Sequence, residues 1–223
     1  AAPRSPSRLA QPTAKSPGTQ EGKTPILPAP SAEDHFRLAL YYQRIGDYEN
    51  AIAQYRAVLE QNDKSAEAHN NLGLLYQERG QLDDAIKQFQ RAIALAPKHA
   101  AAHNNLGVAF MRTNRLEPAA AEFREALASN SRNVESMVNL ALVQRSQGRA
   151  ADARSLLRRA LTIDPRSAGS HYNLALLADE NGDVTTAIEH YRAFLRLGAV
   201  PYADLAAQAQ EIEHRRAVEK IIE

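Results

Sequence analysis

The sequence predicts an all-α solenoid: five helical hairpins stacked in series and closed by a C-terminal helix. Three observations predict it. The chain repeats itself every 34 residues, each repeat carries apolar residues at helical spacing, and each turns at a glycine or an asparagine. One hairpin cannot bury its apolar stripe alone, so hairpins of this kind stack.

Residues 1–31 stand apart. They hold seven of the eleven prolines, with Ser, Thr, Ala and Gly between them. Their charges are Arg4, Arg8, Lys15 and Lys23 against Glu21. With almost no large apolar residues the segment cannot offset its ordering entropy. It reads as a Pro-rich flexible linker. The stretches P-R-S-P and P-I-L-P fit a generic PxxP pattern, for which a spacer is the preferred explanation.

From Ala32 the repeats run 32–65, 66–99, 100–133, 134–167 and 168–201 without insertion. Position 7 of each holds Leu38, Leu72, Leu106, Leu140 and Leu174. Position 8 is small throughout (Ala39, Gly73, Gly107, Ala141, Ala175), and position 20 is Ala51, Ala85, Ala119, Ala153 and Ala187. Position 24 holds Tyr55, Phe89, Phe123, Leu157 and Tyr191. Small residues let helices approach, and large ones fill the gaps between them. Gly46, Gly80, Asn114, Gly148 and Gly182 share position 15, where the first helix of each hairpin should end in a left-handed residue. Pro97 and Pro165 follow the second helices and stop them. Pro118 lies near the start of a second helix, where a missing N–H costs little. Positions 4, 7, 8 and 11 form one apolar stripe at about 100° per residue. Residues 202–223 begin a sixth repeat without completing it. Leu205, Ala209 and Ile212 continue the stripe, as a capping helix would, and Val218, Ile221 and Ile222 extend it as packed tail or as a small contact site.

Composition narrows the function. The net charge of +1 gives no case for nucleic acid. No apolar run approaches the length of a membrane span. Cysteine is absent, which excludes disulfides and thiolate metal sites. Of the seven histidines, His35, His69, His103 and His171 share position 4, on the packing stripe, where a structural role outweighs a metal site. His99 and His103 are four apart with no third ligand nearby in sequence. No phosphate loop, HExxH, GxSxG or paired carboxylates appear, so neither an enzyme nor a cofactor is expected.

The pattern of small-Leu-Gly/Ala, aromatic, Gly, Ala, aromatic and Pro resembles the tetratricopeptide repeat family over residues 32–201. That resemblance implies a right-handed superhelix whose first helices line a concave groove. The departures are histidine at position 4, where the family often has Trp, and Gln144 and Ala178 in place of the position 11 aromatic. The last two predict looser packing in repeats four and five.

The motif AHNNLG stands at residues 68–73 and again at 102–107. Its second asparagine occupies position 6, held by Arg37, Asn71, Asn105, Asn139 and Asn173, roughly opposite the packing stripe. Beside it, position 9 holds Leu40, Leu74, Val108, Leu142 and Leu176. An asparagine amide both donates and accepts, so a row of them suits a peptide backbone, and the aliphatic row would take its apolar side chains. The alternative is that position 9 packs on the next first helix while position 6 bonds locally or to water. The arrangement resembles the asparagine ladder in the repeats of O-linked N-acetylglucosamine transferases, matched by Asn71, Asn105, Asn139 and Asn173, with no sugar-transfer domain in this chain. The two-carboxylate clamp of co-chaperones is a poor fit, since its cation positions hold Ala101 and Asn105, Glu135 and Asn139, or Gly169 and Asn173. The expected function is a non-catalytic scaffold or adaptor with a protein or peptide partner in the groove. The alternative is a structural subunit of a larger assembly, contacting partners through its convex face, ends or linker. Self-association would run through the linker or the C-terminal helix. The linker suggests a tether upstream, which leans the localisation toward an extracytoplasmic or membrane-tethered site, with the cytoplasm as the alternative.

Overall fold

In a computed structural model, residues 29–197, 207 and 209–214 are described. The expectations for residues 1–28, Leu205, Val218, Ile221 and Ile222 lie outside them. The chain divides into Ala1–Pro30 and Ser31–Glu223, and the described helices belong to the second unit.

Ten helices, followed by a helical segment described at 209–214, succeed one another with no strand among the described residues: α1 (Ala32–Arg44), α2 (Tyr48–Gln61), α3 (Ala66–Glu78), α4 (Leu82–Leu95), α5 (Ala100–Arg112), α6 (Leu116–Ser129), α7 (Val134–Ser146), α8 (Ala150–Ile163), α9 (Ala168–Glu180) and α10 (Val184–Arg196). Each odd helix packs on the even helix after it, and each even helix on the next odd one, so the hairpins form a solenoid. First helices also touch one another (α3 with α5, α5 with α7, α7 with α9), and no pair of second helices does so comparably. A stack whose first helices sit closer together curves with them on the inner side. Among the described residues no helix is long and apolar enough to cross a membrane.

Local chemistry sets the helix ends. The residue before each first helix is a cap: Ser31, Ser65, His99, Asn133 and Ser167 each accept a bond from the amide three residues on. His99 therefore serves as a helix cap through Nδ1, 3.2 Å from the Ala102 amide. Of the second helices, α2 and α10 are capped by the side chains of Asp47 and Asp183, while Gln81, Arg115 and Arg149 make no such bond. The turn residue takes positive φ in every repeat, from 57° at Asn114 to 78° at Gly46.

The first helices of the inner repeats are buried on two sides. Position 8 faces the hairpin's own second helix, as Gly73 does beneath the Phe89 ring. Ala68, Leu72 and Leu75 of α3 are also buried, at 0%, 2% and 1% exposure. Burying a leucine of this kind contributes about 1.5–3 kcal/mol. The expected stripe thus widens to include positions 3 and 10, because an inner repeat has neighbours both before and after it. Near the C-terminus, Ala209 is fully buried and Ile212 packs beside it against α9 and α10. Glu213 there accepts from Arg192 at 3.0 Å, while Gln210, Glu211 and His214 point outward. At position 11, Gln144 and Ala178 are buried, Gln144 with Oε1 unpartnered, and a crevice lies beside Ala178 between α8 and α10. Repeat two, which keeps its aromatic Tyr76, has a larger crevice there and an unpartnered Oε1 on Gln77, so the looser packing expected in repeats four and five does not set them apart.

Candidate functional site

Three of the position 4 histidines, His69, His103 and His171, tie their hairpins to the loop before. His69 Nε2 donates to the Asp63 carbonyl at 3.0 Å, and its Nδ1 lies 2.7 Å from Gln88 Oε1. His103 repeats the arrangement with the Pro97 carbonyl at 3.0 Å and the Glu122 carboxylate at 2.7 Å. His171 donates from Nε2 to the Pro165 carbonyl at 3.2 Å, and its Nδ1 lies 2.9 Å from His190 Nδ1. Burial, then the charge of His171 and, more weakly, of Arg158, hold His190 below the usual histidine range, with Glu189 opposing. These side chains serve the hairpins. Among the described residues no three His, Cys, Asp or Glu side chains are grouped to hold a metal ion.

The position 6 asparagines lie on the inner face, and the amides of Asn71, Asn105 and Asn139 reach the preceding repeat. Asn105 Nδ2 donates to Asn70 Oδ1 at 2.9 Å, and Asn139 Nδ2 to Asn104 Oδ1 at 3.2 Å. The acceptor is position 5 of the repeat before, a residue the sequence pattern did not single out. Asn70 and Asn104 are buried, and Asn104 Oδ1 also accepts from Ser136 Oγ at 3.0 Å. Where position 5 is apolar, the bond changes. Behind Asn71 stands Phe36, and Asn71 Nδ2 instead reaches the Tyr55 hydroxyl at 3.2 Å, which donates onward to Gln43 Oε1. Burial pushes the Tyr55 phenol up to about 12 against the opposing bond from Asn71. Behind Asn173 stands Val138, so Asn173 Nδ2 falls back on the Gly169 carbonyl of its own helix at 2.8 Å. Its Oδ1 is left buried and unpartnered.

The four amides therefore differ in what they can offer a ligand. Asn71 Oδ1 accepts from Asn70 Nδ2 at 3.3 Å. The Oδ1 atoms of Asn105 and Asn139 take no hydrogen bond from the described residues and are not among the buried unpartnered atoms, so solvent reaches them. Along the same face Leu74, Val108, Leu142 and Leu176 are half-buried, three of them packed against the core. Leu40, in the first repeat, is 45% exposed. The signal that could have found Asn70 and Asn104 was already in the motif: both asparagines of AHNNLG recur, and the first falls on the face turned to the next repeat.

Family models described as tetratricopeptide repeat match residues 31–98, 71–134, 118–168 and 138–204. No curated protein matches the chain. Among solved structures, PilW, described as a widely conserved type IV pilus biogenesis factor, is 24% identical with a TM-score of 0.72, covering 84% of this chain and 91% of that one. PilF of Pseudomonas aeruginosa is 21% identical with a TM-score of 0.70, covering 84% and 89%. YrrB, described as having an unusual peptide-binding site, is 19% identical with a TM-score of 0.62, covering 81% and 92%. Repeats of this kind support a protein-interaction scaffold with protein partners, and this chain, matched from residue 31 to residue 204, belongs to the tetratricopeptide repeat family.

Proposed function

We propose that the chain is a non-catalytic scaffold that holds an extended segment of a partner protein along its inner face. One observation carries the reading. The neighbouring repeat holds the Nδ2 ends of Asn105 and Asn139, while their Oδ1 ends stay open to solvent beside Val108 and Leu142. An amide held at one end is a preorganised acceptor, so a peptide N–H can bind it without first ordering it. The spacing is one acceptor per repeat, flanked by an aliphatic surface for the peptide's apolar side chains. Asn71 would extend the row at one end, whereas Asn173, with Oδ1 buried and Nδ2 bonded within its own helix, does not present its amide to a ligand. That a solved protein of this fold is described as having a peptide-binding site is consistent with the reading.

The test is affinity capture from the native organism, followed by hydrogen exchange on the captured complex. Partner-dependent protection should fall on α3, α5, α7 and α9, and the pair Val108→Glu with Leu142→Glu should abolish capture. Protection confined to second helices or to either end of the stack would sink the groove reading. It would favour the structural-subunit alternative.

A further inference from the structure

Among the described residues, the large apolar side chains that stand exposed all belong to the first repeat: Leu38 at 41%, Leu40 at 45%, Tyr41 at 49%, Ile45 at 54% and Tyr48 at 39%. Two of them sit where later repeats are covered by the repeat before. At position 7, Leu38 corresponds to Leu72, Leu106, Leu140 and Leu174, none more than 4% exposed. At position 10, Tyr41 corresponds to Leu75, Ala109, Val143 and Leu177, none more than 1% exposed. The α1 end is thus the receiving half of a repeat junction. Among the described residues near the C-terminus, Gln210, Glu211 and His214 are exposed and polar, unlike those of the α1 end.

We propose that the α1 end docks an amphipathic helix of a partner protein, seated on α1 as α2 is seated on α3. The internal junction specifies what that helix must carry. Arg56 and Leu59 of α2 share a crevice with Leu72 and Tyr76 of α3. The Arg56 guanidinium lies 5.9 Å from the Tyr76 ring centre and donates to its hydroxyl at 2.8 Å. The first repeat offers Leu38 and Tyr42 at the positions of Leu72 and Tyr76. A helix with arginine three residues before leucine fits both. The rim departs from the internal pattern in one respect. Internal junctions join polar side chains there, Arg79 with Glu49 at 2.7 Å and Gln147 with Glu117 at 2.8 Å. In the first repeat Ile45 takes the position of Arg79 and Gln147. The docked helix therefore carries an apolar residue where α2 carries Glu49. This feature separates a dedicated partner from the chain's own second helices, and large exposed apolar surfaces of this kind mark interaction sites.

The experiment titrates the isotope-labelled full chain with a synthetic peptide of residues 47–62, and with the same peptide carrying Glu49→Leu. Saturable amide shifts should be confined to α1 and residues 45–48, and the Glu49→Leu peptide should bind several-fold tighter. In that peptide Arg56→Ala should weaken binding roughly twofold to fivefold, through loss of the cation–ring contact. In the full chain Ile45→Glu should weaken it about tenfold or more with the melting temperature unchanged, since Ile45 is exposed. Four results would overturn the proposal. They are no saturable shift up to millimolar peptide, shifts on the inner faces of α3 to α9, dimers in sedimentation that Ile45→Glu abolishes, or a marked gain in peptide affinity on deleting residues 1–28. The third assigns the face to a second copy and the fourth to the chain's own N-terminal segment.

Discussion

Gly73 lies beneath the ring of Phe89 so closely that a Cβ added to it would stand 2.6 Å from Cε1 and 2.7 Å from Cδ1. Gly107 stands in the same relation to Phe123. Where position 24 is not phenylalanine, position 8 is alanine: Ala39 with Tyr55, Ala141 with Leu157, Ala175 with Tyr191. Two opposing effects decide what Gly73→Ala does. Helix propensity favours alanine by roughly 1 kcal/mol, and overpacking costs about 1–3 kcal/mol. Phe89 is fully buried and cannot swing clear, so overpacking wins. Thermal melting should show Gly73→Ala destabilised, and Gly73→Leu more so. The double variant with Phe89→Leu, which copies Ala141 and Leu157, should lose less than the sum of its parts. Additive losses would show that the two positions are not in the contact described.

The interlocked asparagines give a paired prediction. Asn104→Val removes the acceptor of both Ser136 Oγ and Asn139 Nδ2 in a buried place. It should cost about 1–3 kcal/mol. Val138→Asn does the reverse, supplying position 5 behind Asn173 as Asn104 does behind Asn139. It should stabilise by about 0.5–1.5 kcal/mol. Chemical denaturation of both variants is the check, and an unstable Val138→Asn would mean that Asn173 cannot leave the Gly169 carbonyl.

Acid should weaken the last repeat first. His190 is held below its ordinary value, so the unfolded chain binds a proton there before the folded one does. Stability then rises with pH across that window. It is full above the ordinary histidine value of about 6.5 and is lost as the pH falls below it. His190→Gln copies Gln54 and Gln88, which face His35 and His69 from the same position. The variant should fold and show a flatter melting-temperature profile between about pH 7 and 5. A profile identical to the wild type would place the acid sensitivity elsewhere.

The uncapped second helices leave room for improvement. Gln81 precedes α4 without a side-chain cap, where Asp47 and Asp183 bond the amides of Asn50 and Thr186. Gln81→Asp should raise stability by about 0.5–2 kcal/mol, less whatever repulsion Asp83 and Asp84 add. A lower melting temperature would mean that this repulsion exceeds the cap.

The 34-residue period, the small and large positions within it and the left-handed turn residues determined the hairpins by themselves, because backbone geometry and side-chain volume act locally. Asn114 shows how far this reaches: it stands in for glycine at position 15 and adopts a φ of 57°. What each asparagine bonds was a matter for the tertiary structure. Asn71, Asn105, Asn139 and Asn173 occupy one position in four repeats, yet each amide settles according to whether Phe36, Asn70, Asn104 or Val138 stands in the repeat before it. Likewise Leu38 and Leu72 are equivalent in sequence, and only stacking leaves one 41% exposed and the other 2%. Burial depends on what lies across the junction, and a repeat carries only its own half of that contact.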